Sequence, residues 1–160
     1  VSTQSCQQFE LYAAEAAIDG GGTIAPADLQ RWVDELRDLP WWERNFPQVL
    51  RVETHVRRSN RDGSVGGWHP EDGCGQIEMA PVHLTPLYVL HEVAHVLAAA
   101  RYGSHSHDPW FARTYLELVS VRLGSGMYEE LYRAFERGHI DHDTESSAPA
   151  GIPLPAGRRV

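Results

Sequence analysis

His91, Glu92 and His95 form a His-Glu-x-x-His pattern at the head of the stretch HEVAHVLAAARYGSHSHDPWF, residues 91–111. On an α-helix, residues four apart lie about 40° apart in azimuth and about 6 Å apart in rise. Two imidazoles at that spacing can reach one ion from the same face. Glu92 sits about 100° from His91 around the same helix, close enough to lean over a water on the ion without ligating the ion. Three protein ligands and one water make an open, Lewis-acidic zinc site, in which zinc lowers the pKa of the water toward about 7. The expected chemistry is therefore hydrolysis. The metal polarises a carbonyl, Glu92 takes the proton of the metal-bound water and then protonates the leaving amine, and the cofactor is one Zn2+ per chain.

The third ligand has to come from the chain that turns back after this helix. His107 stands immediately before Asp108, on a backbone that a helix cap would pin, and is the first candidate. His105, in the preceding loop, and Glu117, inside the following helix, are the alternatives; the Asp108 side chain is already wanted as a cap. Two further residues could touch substrate or transition state. His69, in GGWHPEDG, could stabilise an oxyanion from a Gly-rich loop, and Tyr102 could orient substrate, although a solvent-facing loop histidine and a core-packed helix-end tyrosine are the commoner uses of such residues. Cys74 could swing onto the metal as a thiolate and silence the enzyme, against the plainer expectation of an ordinary loop cysteine. His55 falls on the polar parity of a strand, and His83 precedes the cap of the metal helix.

The elements that must hold these residues are legible around them. Thr85-Pro86 is a hydroxyl N-cap followed by proline at the first helical position, so the metal helix should run from Pro86 to Tyr102 and stop at Gly103. Its side away from the histidines carries Leu90, Val93, Leu97 and Ala100. Asp108-Pro109 repeats the start signal for a helix to about Leu123, and Ser125 opens a last helix stopped by Gly138. Upstream, residues 49–58 alternate, with Leu50, Val52, Thr54 and Val56 on one parity and Val49 the misfit, which predicts a half-buried strand. Residues 59–75 read as a loop and 76–80 as a second short strand. Residues 5–19 predict a helix, and Leu29, Trp32, Val33 and Leu36 predict an amphipathic helix from Pro26 to about Asp38. Pro40-Trp41-Trp42 should break it, with the two tryptophans capping the core.

The chain as a whole bounds what this site can serve. Its 160 residues suit one domain with a core of its own. A net charge of -8 argues against non-specific nucleic-acid binding, and the short basic run Arg57, Arg58 and Arg61 is read as a solvated strand end. No apolar run reaches membrane-span length and no secretory signal is evident. Cys6 and Cys74 make no framework, so a reduced, cytoplasmic protein is expected. The organisation expected is a single α+β domain over 1–140, with N-terminal helices at 1–47, a metal-binding core at 48–124 and a last helix at 125–140. An irregular Pro/Gly/Ala-rich tail should occupy 141–160.

The same stretch resembles the metal-binding segment of SprT-like proteins, the zincin group that includes the Spartan proteases. The matching pieces are His91, Glu92 and His95, then Tyr102-Gly103, then His107-Asp108-Pro109-Trp110-Phe111, within about residues 48–124. The resemblance implies His107 as third ligand and a zincin-like fold with a small sheet packed on the active-site helix; a peptide or protein substrate is expected, of an identity the resemblance does not give. Asp108 stands where the family has glycine, and no cysteine-rich zinc ribbon follows. In size and layout the chain is similar to small actinobacterial metallohydrolases. The competing expectation is a non-catalytic binding or regulatory protein whose metal site is closed by four ligands, His105 joining His91, His95 and His107.

Overall fold

Three short strands form a mixed sheet in the order β1-β3-β2: β1 Arg51–Val56, β2 Val65–His69 and β3 Cys74–Met79. β1 runs parallel to β3, from Arg51 opposite Cys74 to Val56 opposite Met79, and β2 runs antiparallel to β3 on its other side. The computed structural model describes residues 3–19 and 21–142, with side chains from Glu10 onward. Six α-helices stand among these residues: α1 Thr3–Ala16, α2 Leu29–Arg37, α3 Pro40–Asn45, α4 Pro86–Tyr102, α5 Pro109–Leu123 and α6 Ser125–Arg137. The architecture is thus α+β. None of these helices is long and apolar enough to cross a membrane. Cys6 and the expected tail beyond His142 fall outside the described side chains.

Strand β2 corrects the expectation of a loop over 59–75, and its glycines explain the error. Gly66 passes so close to α4 that a Cβ there would lie 2.2 Å from the Glu92 carbonyl oxygen. On β3, a Cβ at Gly75 would lie 2.4 Å from Val96 Cγ1. These glycines mark sites where sheet and helix backbones nearly touch, a use that composition cannot tell from turn chemistry. The sheet is therefore pressed onto α4 over the turn that carries Glu92 and His95.

Helix α4 is the centre of the molecule. Leu90, Val93 and Leu97 are buried as expected, but so are Val89, Ala94, Val96 and Ala98, because β2 and β3 pack on one side and α5 on another. Ala100 is only partly buried. The start signal at Thr85 works through proline alone: the Thr85 hydroxyl caps nothing and is buried without a partner. Gly103, at φ +67°, ends the helix in the left-handed region, and the N–H groups of Gly103 and Ser104 donate back to Ala99 and Ala98.

The remaining elements wrap this centre, and one hydrophobic cluster runs from Leu11 to Ile140. The expected helix from Pro26 begins as a 3-10 turn, Pro26–Asp28, before α2 buries Leu29, Val33 and Leu36. Pro40 does not merely break the chain; it opens α3. Trp42 is buried and donates from Nε1 to the Val49 carbonyl at 3.2 Å, while Trp41 packs on Phe46, so the tandem tryptophans do roof the core. Val49 is buried and Leu50 is exposed, because both precede β1 and its alternation does not bind them. Within β1, Val52 is buried and His55 exposed. Helix α1 ends at Ala16 and not at 19, and lies against α6.

Candidate metal centre

Three imidazoles converge where α4 meets the loop that enters α5. His91 and His95 lie one turn apart on α4, and His107 approaches from just before α5. His107 Nε2 lies 3.1 Å from His91 Nε2 and 3.1 Å from His95 Nε2. Nitrogens bound tetrahedrally to one ion at about 2.0–2.1 Å stand roughly 3.3 Å apart, so this donor set fits a zinc-sized ion with little movement. Among the described residues it is the one group of three histidine, cysteine or carboxylate side chains with that convergence.

The loop that delivers His107 is pinned from both ends. Gly103 fixes the turn out of α4. Asp108 Oδ1 accepts the Phe111 N–H at 3.0 Å as the N-cap of α5, and Asp108 Oδ2 accepts the Ser104 hydroxyl at 2.7 Å. Aspartate in place of glycine here is thus a cap and a loop clamp. Phe111, fully buried, forms the floor beneath the cluster, with its ring 4.3, 4.8 and 5.0 Å from those of His95, His107 and His91.

This apolar floor sets the protonation of the site. Burial, with the neighbouring imidazoles, pushes His95 down to about 2 and His107 down to about 4. Both rings are therefore neutral near pH 7 with a lone pair to offer. Burial would lower His91 as well, but the Glu15 carboxylate beside it outweighs that and the net direction is upward. Burial raises Glu92 to about 7, against the opposing pull of His91 and of the Gly66 backbone N–H. A carboxyl poised near neutrality can both accept and return a proton.

Other expected contacts are not brought to the cluster. His105 is exposed in the loop. Glu117 faces out from α5 and pairs with Arg113 at 3.2 Å. Tyr102 stacks on Trp110 at 4.3 Å, a packing role. His69 lies on the opposite parity of β2 from Gly66, so strand alternation turns it away from α4, and its nearest charge is Glu71 at 3.8 Å. Cys74 is buried at the start of β3, its thiol donating to the Gly75 carbonyl, with Arg51, Glu53 and Asp72 as its charged neighbours.

The sequence reading missed Glu15 and Tyr12 near the cluster, and gave His83 only its place before the cap. Glu15 Oε1, from α1, lies 2.6 Å from His91 Nδ1, and Tyr12 stacks on His91 with ring centres 5.4 Å apart. Their spacing of three puts both on one face of α1, but nothing local to α1 points to α4. His83 stacks on Tyr88 at 4.6 Å, and Tyr88 stands one turn before Glu92. Ser64 Oγ accepts the Ala80 N–H at 2.9 Å and is hydrogen-bonded to His83 Nδ1 at 3.0 Å. Burial lowers His83, while Glu15 and His91 are close enough to act on its charge. No family model, curated protein or solved structure matches the chain.

Proposed function

We propose that the chain is a zinc-dependent metallohydrolase, and specifically a metallopeptidase of zincin-like, SprT-like design. The observation that carries this reading is the convergence of the His91, His95 and His107 Nε2 atoms beside the carboxyl of Glu92, which is 5% exposed and raised to about 7. His91, His95 and His107 would hold the ion, which when bound supplies Lewis acidity toward a substrate carbonyl and the attacking water. Glu92 accepts the proton of that water and returns it to the leaving amine. The Gly66 N–H holds the Glu92 carboxylate in place.

A peptide substrate is supported by β2. It is one of the two edges of the sheet, the one at which Gly66 lies directly against the turn of α4 that bears Glu92. An extended peptide added to that edge would gain main-chain hydrogen bonds beside the base. The closed structural site that competes with this reading needs His105 as a fourth ligand, and His105 lies exposed outside the cluster.

Glu92→Gln tests the proposal. The amide is nearly isosteric but cannot take a proton, and general-base help is worth about 10²–10⁴-fold in rate. Hydrolysis of a casein or mixed-peptide substrate should fall by that factor with zinc content and melting temperature unchanged. Loss of zinc from Glu92→Gln would make Glu92 a ligand, and full retained activity would place the base elsewhere.

A further inference from the structure

Glu15 is hard to explain as a structural residue. Its side chain is 0% exposed, and its Oε1 meets His91 Nδ1 at 2.6 Å across 76 positions of sequence. Its Oε2 is buried with no hydrogen-bond partner. A buried carboxylate tied to one ring contributes less to stability than an apolar residue of the same shape would, and an unpartnered buried oxygen calls for a reason. Leu11 and Ala14 on the same helix and Phe111 behind His91 are apolar, while Tyr115, Tyr88 and Glu92 stand near enough for the Glu15 charge to act on them. The Tyr115 hydroxyl donates to the Leu87 carbonyl at 3.1 Å.

We propose that Glu15 is the positioning residue of the metal centre, and that through it α1 is part of that centre; this rests on the zinc reading above. As acceptor at Oε1, Glu15 fixes His91 in the Nδ1–H form. That leaves the Nε2 lone pair directed at His95 and His107, where the ion would sit. A carboxylate behind a ligating histidine also raises the ring's donor strength. Tyr12 stacks on the same ring from the same face of α1 and limits its rotation. The cationic centre in turn supplies the charge that makes a buried Glu15 tolerable. Coupling of this kind is reciprocal: docking of α1 strengthens zinc binding, and zinc holds α1 in place.

The test compares wild type, Glu15→Gln and Glu15→Asp by zinc competition against a chromophoric chelator. Metal-free melting and ring 15N–1H spectra of the histidines are recorded alongside. Gln removes the charge at constant shape, while Asp keeps the charge but withdraws it by one methylene, so either folded variant reports. Zinc affinity should drop about 10–100-fold in both. The metal-free Glu15→Gln protein should melt no lower than wild type, and its His91 should lose the pure Nδ1–H signature. Hydrogen exchange over α1 should slow with zinc in wild type and not in Glu15→Gln. Equal zinc affinity in wild type and a folded variant overturns the role of Glu15 alone. So does a metal-free melting loss with affinity intact, the mark of a merely structural residue. A wild type that takes no zinc overturns this proposal and the zinc reading together.

Discussion

The two sides of the histidine cluster are built on different physics. His91 is 1% exposed and held by a charge, the Glu15 carboxylate at 2.6 Å, with Tyr12, Phe111 and Tyr115 around its ring. His95 and His107 are held by packing on Phe111 and by a pinned loop, and burial with neighbouring imidazoles sets their protonation. One ring is thus locked in orientation. The other two are poised as neutral donors at the more open side. The lesson is that a three-histidine cluster can divide its tasks: a charge sets the direction of the deep ring, and burial keeps the outer pair neutral.

The sharpest way to break this comparison is to delete each kind of ligand in turn. His91→Ala strands the Glu15 carboxylate in an apolar interior, and breaking a buried pair in this way costs about 3–5 kcal/mol. His107→Ala strands no charge and should cost the metal-free protein about 1 kcal/mol, in the range of ordinary substitutions. Denaturant melts of the two metal-free variants read the difference. Equal losses would mean that the Glu15 contact holds nothing in particular.

On the metal side the two ligands should behave alike, and the contrast moves to the loop. His107→Ala should weaken zinc binding by at least about 100-fold, and His105→Ala should leave it within about 2-fold, since one nitrogen of three is lost in the first case and none in the second. Competition titration of both variants checks this, and a greater loss from His105→Ala would reverse the ligand assignment.

The smallest effect concerns two histidines that flank the site. His83 is held by Ser64 and Tyr88 one turn from Glu92, whereas His69 points away from α4 on the far parity of β2. If His83, and not His69, contacts the reacting carbonyl, His83→Ala should lower kcat of hydrolysis by about 10-fold, the scale of one lost hydrogen bond in a low-dielectric site, with His69→Ala close to wild type. The reverse order would restore His69 as the oxyanion contact.

What the sequence made legible follows the same division. Helix α4, its stop at Gly103, the Asp108 cap and the position of His107 just before that cap all rest on interactions within a few residues, and each is present in the structure. Glu15 was not legible, because its partner lies 76 positions away and a lone glutamate in a polar helix reads as solvated surface. Strand β2 was hidden for a related reason: Gly66 answers to the Glu92 backbone across the fold, and not to its neighbours in sequence. Thr85 shows the converse failure, a local signal overridden by burial of its hydroxyl.

X-ray absorption at the zinc edge of the loaded wild-type protein tests the central claim most directly, because it counts ligands by type. The account predicts one zinc per chain bound by three imidazole nitrogens at about 2.0–2.1 Å and one further oxygen ligand that is exchangeable. Four imidazoles around the ion would contradict it and mark a closed structural site, and a protein that takes up no zinc would contradict it outright.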